Sequence, residues 1–331
     1  MGKMWMVRGE SGRLYDDFRE RGVVAIGWNQ IAVDAKPGMT RKELTKLYLA
    51  AEPHAKQGRA ISGASQVWRF INEIADGDHV ITYSPANRTY MLGKVTGAAK
   101  YRPEWAEEKM GLARSVEWQA GEINRDDLGT ATKNSLGSTL TVFLIPPVAA
   151  QDILAAGSGK PRKAVVEEEV AVEDIDAPAD IEQQALESIK DKVSELGWDE
   201  MQQLVAGILR AMNYKTQISP AGPDRGKDIV ASPDGFGFEH PRIVVEVKHR
   251  RGQMGSAEIR SFLGGRHKDD RGLYVSTGGF SKDAQYEADR ASIPLALWTL
   301  DHLVRALIEH YDRTDTETKR LMPLKRMYWP A

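Results

Sequence analysis

The spacing of apolar and polar positions changes character about halfway along the chain. In the first 150 residues the apolar positions fall in short runs: Trp5-Met6-Val7, Val23-Val24-Ala25-Ile26-Gly27-Trp28, His79-Val80-Ile81-Thr82-Tyr83, Thr89 to Val95, Ser115 to Trp118 and Thr139 to Ile145. Runs rich in β-branched and aromatic residues, bounded by turn residues such as Gly77-Asp78, read as short strands. Two helices are expected among them, around Thr40–Ala51 and Ala64–Ala75. Many short strands with few helices predict an α+β region built on a small, partly closed β-barrel.

From about Ile181 the period becomes helical, with Ile181, Ala185, Ile189 and Val193 four residues apart. Leu204, Val205, Ile208, Leu209 and Met212 mark a second amphipathic helix. Strands are then expected at Lys215–Ile218, Asp228–Ala231 and Ile243–Val247, the last a β-branched run of the kind found in buried central strands. A helix from Ser256 to Gly264 with Ser256 as its cap, a strand from Gly272 to Thr277, and a helix capped by Ser281 follow. A strand over Pro294–Trp298 and a helix from Leu300 to Tyr311 complete a small α/β domain.

Composition places the boundary between the two patterns. Gly157-Ser158-Gly159-Lys160-Pro161, Glu167-Glu168-Glu169 and Asp174 to Asp180 form an acidic stretch with the make-up of an exposed linker. The expected division is residues 1–150, a linker over 151–180, and residues 181–331. The net charge of −2 hides an uneven spread. Residues 1–150 hold 20 Lys and Arg against 17 Asp and Glu, residues 151–195 hold 5 against 12, and residues 196–331 hold 20 against 18. Both flanking regions are mildly basic, which permits a nucleic-acid partner without demanding one. With no cysteine, thiolate zinc sites, disulfides and cysteine nucleophiles are excluded. No 18-residue apolar run appears and the first residues lack a signal peptide's apolar core, so the cytoplasm is the expected compartment. Seven histidines are scattered without metal-ligand spacing, and no phosphate-binding Gly-rich loop appears.

The candidate chemistry lies in Gly226-Lys227-Asp228-Ile229-Val230 and Ile243-Val244-Val245-Glu246-Val247-Lys248. Two carboxylates suit a hard cation such as Mg²⁺. Lys248, one alternation beyond Glu246, shares its face of the strand and could orient a water against a phosphate. The strand is too apolar for an exposed edge, and charges within a buried sheet are costly unless paired or metal-bound. A structural Glu–Lys ion pair is the alternative. Lys248-His249-Arg250-Arg251, Arg260, Arg266, His267 and Lys268 could grip a DNA backbone, with Ser276, Thr277 and Ser281 as further candidates.

Together, Gly222-Pro223-Asp224-Arg225-Gly226-Lys227-Asp228, Glu246-Val247-Lys248 and Ser276 to Ala284 resemble the Mrr-type catalytic domain of the PD-(D/E)xK nucleases, over roughly Leu196 to His310. The resemblance implies a mixed central sheet and Mg²⁺, with Mn²⁺ as a substitute, held by Asp228, Glu246 and the Val247 carbonyl. Lys248 would be the catalytic lysine. Glu246 stands where Mrr proteins often carry glutamine, and Gln202 stands where they usually carry a helical glutamate. Glu195 and Glu200 are weaker competitors for that helical role.

Trp5-Met6-Val7-Arg8, Ala25-Ile26-Gly27-Trp28, Gly77 to Tyr83 and Leu92 to Gly97 resemble the PUA-like group that includes EVE, YTH and ASCH domains. That resemblance implies a reader of modified bases, held flipped in an aromatic pocket. Trp28, Trp68, Tyr83 and Trp118 are its candidate walls and Ser62 and Asp78 its polar contacts, while Trp5 is expected in the core. Reader plus nuclease looks like a modification-dependent (type IV) restriction endonuclease acting on double-stranded DNA, expected as a homodimer. An endonuclease for unmodified DNA, or a DNA-binding protein with an inactive nuclease fold, remain the alternatives.

Overall fold

A computed structural model describes residues 2–138, 140–158, 178–219 and 228–327. The acidic stretch from 159 to 177 and the Gly222–Lys227 part of the candidate motif lie outside the described residues. Contacts divide the chain into two units, Met1–Gln184 and Ala185–Ala331.

The first unit contains β1 (Met4–Val7), α1 (Tyr15–Arg21), β2 (Val23–Ile26), α2 (Asn29–Ala32), α3 (Arg41–Ala51), α4 (Gln57–Trp68), β3 (His79–Ser84), β4 (Thr89–Val95), β5 (Lys100–Tyr101), β6 (Leu112–Trp118), β7 (Ile123–Asn124), α5 (Thr130–Ser135), β8 (Val142–Leu144) and α6 (Pro147–Gly157). The sheet runs β2-β6-β4-β3-β1-β8, with β5 on β6 and β7 on β4. Among the described residues no pairing joins β2 to β8, the two ends of this path. Strand alternation gives the sheet two buried faces: Trp5 and Val7 of β1 join one core, Met4 and Met6 the other. Helices α3 and α4 cover the first with Leu44, Tyr48, Ala60, Ala64 and Val67. Thr40 caps α3 through a reciprocal box with Glu43. The second face is covered by α6 through Ala149 and Ile153. Residues 151–157 of the expected linker are helical instead, because α6 is held to its sheet by apolar burial.

The second unit contains α7 (Pro178–Ser194) from Ala185 on, then α8 (Trp198–Ala211), β9 (Lys215–Ile218), β10 (Ile229–Ser232), β11 (Arg242–Lys248), α9 (Ser256–Leu263), β12 (Asp270–Ser276), α10 (Lys282–Asp289), β13 (Leu295–Thr299), α11 (Leu300–His310) and α12 (Thr316–Leu321). Its sheet is mixed, in the order β13-β12-β11-β10-β9. The β9–β10 and β10–β11 pairs are antiparallel, and β11, β12 and β13 are parallel. Helices α8 and α11 pack on one face, over Ile229, Val245, Val247, Leu273 and Val275. On the other face Tyr274 packs with Ile259 and Phe262 of α9 and Ala284 and Ala288 of α10. Ser281 caps α10, as expected, while Gly255 rather than Ser256 sits at the cap of α9.

Three local devices hold this frame. In the β10–β11 turn, the Asp234 carboxylate accepts backbone N–H bonds from Phe236, Gly237, Phe238 and Glu239 at 3.0–3.2 Å. That cradle fixes the hairpin register. The fully buried Lys190 of α7 lies between Glu187, at 2.9 Å, and Asp301 of α11, at 2.5 Å. Helix α12 closes on α8 at Gly207, where a Cβ would collide with Thr318 Oγ1. No helix among the described residues is long and apolar enough to cross a membrane.

Asp315 caps α12 by accepting from the Thr318 amide at 2.8 Å, and it pairs with Arg210 of α8 at 2.7 Å. Desolvation works to raise its pKa, but the Thr318 bonds and the Arg210 guanidinium outweigh it and hold the carboxyl at about 2, against an ordinary 3.8. A carboxyl depressed in the folded state adds stability above its unfolded pKa and loses it as pH falls through the folded value. Asp315→Asn is expected to lower stability at neutral pH and to make the decline between about pH 4 and pH 2 shallower. Denaturant unfolding at a series of pH values checks this, and curves parallel to the wild type would refute it.

Candidate active site

Register builds the site. Ile229 pairs with Val245, and continuing that antiparallel register by one residue sets Asp228 opposite Glu246. Opposed residues project from the same face. Ile229, Val245 and Val247 take the apolar face toward α8 and α11, which leaves Asp228, Glu246 and Lys248 on the other. Asp228 and Glu246 are only 5% and 8% exposed. The Asp228 N–H donates to the Val245 carbonyl at 2.9 Å, and the Val247 N–H donates to Asp228 Oδ2 at 2.6 Å. Asp228 is thus held by the main chain of the strand that carries its partner.

Glu246 Oε1 lies 2.7 Å from Lys248 Nζ and accepts from the Tyr274 hydroxyl at 3.4 Å. Tyr274 is the parallel register partner of Glu246 on β12. Burial first, then the charge of Glu246, pushes the Tyr274 phenol well above its ordinary range. It therefore remains a donor toward the carboxylate. His249 Nε2 donates to the Leu196 carbonyl at 2.7 Å, and its Nδ1 lies 3.3 Å from Thr277 Oγ1. A carbonyl can only accept, so the proton sits on Nε2. These contacts tie the end of β11 to the segment before α8 and to the residue after β12. Tyr274 was not expected as a site neighbour, and His249, a candidate backbone contact, is instead turned to the Leu196 carbonyl. Strand alternation puts Tyr274 on the right face, but only the β11–β12 register brings it to Glu246.

Gln202 lies on α8, which packs against the opposite, apolar face through Met201, Leu204, Val205 and Ile208. Its side chain is buried, and its Nε2 has no hydrogen-bond partner among the described residues. Glu200 serves instead in the capping of α8, its Oε2 accepting from the Gly197 N–H at 2.7 Å. Among the described residues no three His, Cys, Asp or Glu side chains group as a metal site. A cation here would take two carboxylates and complete its shell with neutral oxygens such as the Val247 carbonyl and water. That donor set fits Mg²⁺ or Mn²⁺, since Mg²⁺ keeps several waters and binds through one or two carboxylates.

The candidate phosphate-binding residues do not form one patch. Arg250 and Arg251 follow β11 at the Lys248 end, with Arg250 paired to Glu258 at 3.3 Å. Arg260 pairs with Glu287 at 3.1 Å. The Ser281 hydroxyl accepts from the Ala284 N–H at 3.1 Å and is thereby occupied as a helix cap. Lys268 precedes β12 at the far end of the sheet, about 20 Å of strand from Ser276. The structure does not bring it to the carboxylates.

In the first unit the expected aromatic pocket is divided. Trp28, Trp68 and Trp118 pack, half-buried, on the face covered by α3 and α4. Tyr83 belongs to the opposite face, stacked on Tyr90 with centroids 4.7 Å apart. Alternation along β3 separates them, Val80 joining the first face and Ile81 and Tyr83 the second. Trp28, in a left-handed backbone conformation at φ 53°, lies against Gly63, next to the half-buried Ser62 of α4. Arg41 lies over the Trp68 ring at 4.3 Å, and the Trp118 indole N–H donates to the Phe18 carbonyl at 2.9 Å. Asp78 is no free polar contact. Its carboxylate accepts from the Lys3 N–H, the Trp5 indole and the Ala75 N–H, each at 3.0 Å. It joins β1 to the start of β3, and Trp5 is core as expected. Sequence reading also missed the buried arginines. Arg8 and Arg125 flank Tyr83 at 5.9 Å each, Arg125 donates to the Tyr90 hydroxyl at 2.7 Å, and Arg88 pairs with Asp126 at 2.6 Å.

Comparison with known proteins assigns the second unit. Residues 193–307 match the profile of the Mrr-type catalytic family, described as restriction endonuclease, and residues 3–143 match a domain of unknown function, DUF8426. The chain thus carries a restriction-endonuclease domain. An uncharacterized protein, y4cE, of Sinorhizobium fredii (strain NBRC 101917 / NGR234) is 31% identical over 98 residues, which are 28% of this chain and 25% of that protein. The match therefore spans about a quarter of that relative's length. Among solved structures, the MspJI restriction endonuclease in complex with a 27-mer oligonucleotide is similar at 14% identity and a TM-score of 0.32, covering 92% of this chain and 74% of that one. The DNA modification-dependent restriction endonuclease AspBHI is similar at 16% identity and a TM-score of 0.30, covering 80% and 72%.

The bonding of Asp78 yields a direct test of its role. Removing an acceptor of three buried or half-buried donors by Asp78→Ala is expected to destabilise the first unit by about 3 kcal/mol. Thermal unfolding measures it, and an unchanged transition would return Asp78 to the candidate ligand contacts.

Proposed function

We propose that the chain is a Mg²⁺-dependent DNA endonuclease of the modification-dependent (type IV) kind, with the second unit cutting and the first unit reading the base. One observation carries the nuclease reading: Asp228 and Glu246 are opposed across two paired strands, with the Lys248 ammonium on the same face. Asp228, Glu246 and the Val247 carbonyl would hold Mg²⁺, or Mn²⁺ in its place. The bound ion supplies Lewis acidity at the scissile phosphate. Lys248 orients a water for in-line attack and offsets charge developing on the phosphoryl oxygens. The water oxygen bonds to phosphorus, the P–O3′ bond breaks, and a proton passes to the departing oxygen, leaving a 5′-phosphate and a 3′-hydroxyl. Arg250 and Arg251, at the same end of β11, grip the backbone beside the cut, and Arg260 does so once released from Glu287.

The first unit is read as an EVE/PUA-like domain that holds a flipped base, methylated or hydroxymethylated cytosine being the preferred candidates. Trp28 with Ser62, and Trp68 under Arg41, are the half-buried groups that suit stacking and edge contacts. Cutting both strands needs two active sites, so a homodimer, formed in solution or on DNA, is part of the proposal. The cytoplasm, where host DNA lies, is the compartment proposed.

Three matched plasmids, unmodified, methylated and hydroxymethylated, test both halves. Cleavage of a modified plasmid with Mg²⁺, its loss in EDTA, and a drop of at least about a thousandfold in Asp228→Ala are expected. Equal cutting of all three plasmids would remove the modified-base half. If wild type and Asp228→Ala behaved alike in Mg²⁺, the second unit would be a DNA-binding fold without catalysis.

A further inference from the structure

The β11–β12 register sets Lys248 beside Ser276, and paired residues of neighbouring strands project from one face, about 4.8 Å apart. Ser276 is fully buried, and its hydroxyl has no hydrogen-bond partner among the described residues. Such a group is normally satisfied, so its lack of a partner calls for a reason. The neighbouring hydroxyls are engaged. Thr299, the register partner of Ser276 on β13, lies 2.9 Å from His302 Nδ1, and the Thr277 hydroxyl lies within reach of the Lys248 and Arg250 carbonyls, at 3.5 and 3.4 Å. Lys248, meanwhile, rests on Glu246, a carboxylate proposed above to hold the metal.

We propose that Ser276 is the second seat of the Lys248 side chain, taken up when a divalent cation occupies Glu246. The inference rests on the metal-dependent reading of the site. A divalent cation and an ammonium repel one another at a shared carboxylate, so the lysine must withdraw as the ion arrives. Its four-carbon stem is flexible and its head is a three-donor point charge. The Ser276 oxygen, with two lone pairs, is the acceptor beside it on the same face. A lysine seated there stays directed toward the attacking water while leaving Glu246 to the ion. Ser276 is accordingly a positioning residue that acts through Lys248.

The test is Mg²⁺ binding to the full chain without DNA, measured by titration calorimetry, in four proteins: wild type, Ser276→Ala, Lys248→Met and the double variant. Asp228→Ala serves as the control for the site being titrated. Ser276→Ala is expected to weaken Mg²⁺ binding about five- to tenfold, the scale of one net intramolecular hydrogen bond, without lowering the thermal midpoint. Lys248→Met is expected to bind Mg²⁺ more tightly than wild type, and adding Ser276→Ala to it should change nothing further. Unchanged binding in Ser276→Ala, or the same loss with and without Lys248, overturns the seat while leaving the metal site standing. No Mg²⁺ binding by the wild type, or equal binding by Asp228→Ala, overturns the metal reading and the seat together.

Discussion

The hydrogen bond from the Val247 amide to the Asp228 carboxylate, at 2.6 Å, is the constraint on which the rest of the site depends. It couples a side chain on one strand to the backbone of the strand that carries Glu246 and Lys248. The spacing of the two carboxylates is therefore set by main-chain pairing rather than by side-chain rotamers. A slip of one residue in this register would turn Glu246 into the apolar layer under α8 and bring Val245 or Val247 out. Such a slip would bury an unpaired charge, and the cost of that burial enforces the alignment. The Asp234 cradle acts at the other end of the same hairpin and toward the same register.

The two faces of the second unit's sheet divide the work. One is wholly apolar and anchors α8 and α11. The other mixes Phe262, Tyr274 and Phe280 with Asp228, Glu246 and Lys248. Polar groups on this second face are held by partners on the same or the neighbouring strand, in a low local dielectric that strengthens their interactions. Ser276 and Gln202 depart from that pattern, each carrying a buried side-chain atom without a hydrogen-bond partner among the described residues. They lie on different elements, and each is a polar residue among apolar neighbours.

Much of the second unit was legible because its strands alternate cleanly and its helices carry strong apolar stripes. Glu246 and Lys248 could be placed on one face from spacing alone, whereas Asp228 joins them only through the β10–β11 register. What could not be read was lateral: which residue of β12 stands beside Glu246, and that His249 reaches back to Leu196. Those are pairings between segments distant in sequence, and period carries no information about them. In the first unit the limits were different. Tyr83 was grouped with Trp28, Trp68 and Trp118 by residue type, although β3 alternation turns it to the other face. Asp78 looked like a turn residue or a ligand contact, and its three-way tie between β1 and β3 depends on a parallel pairing across more than seventy residues. Buried Arg8, Arg88, Arg114 and Arg125 gave no signal, since arginine is ordinarily exposed. Helix α6 did offer one in Pro147 at its start and Ile153 and Leu154 in its body, but the acidic tract beyond masked the helical character of residues 151–157.

Lys190 bears on what counts as the catalytic module. The stretch that matches the restriction-endonuclease profile begins at residue 193, yet the buried ammonium of Lys190 and its partner Glu187 lie before it, and Asp301 within it. A fragment cut at that edge would leave Asp301 without its buried counter-ion and strip the α7 layer from α11. At the other edge, α12 fills the notch above Gly207 although it lies beyond residue 307. The contacts that complete the second unit thus reach past both ends of the matched stretch, from Glu187 in α7 to α12, and a fragment trimmed to that stretch would lack both.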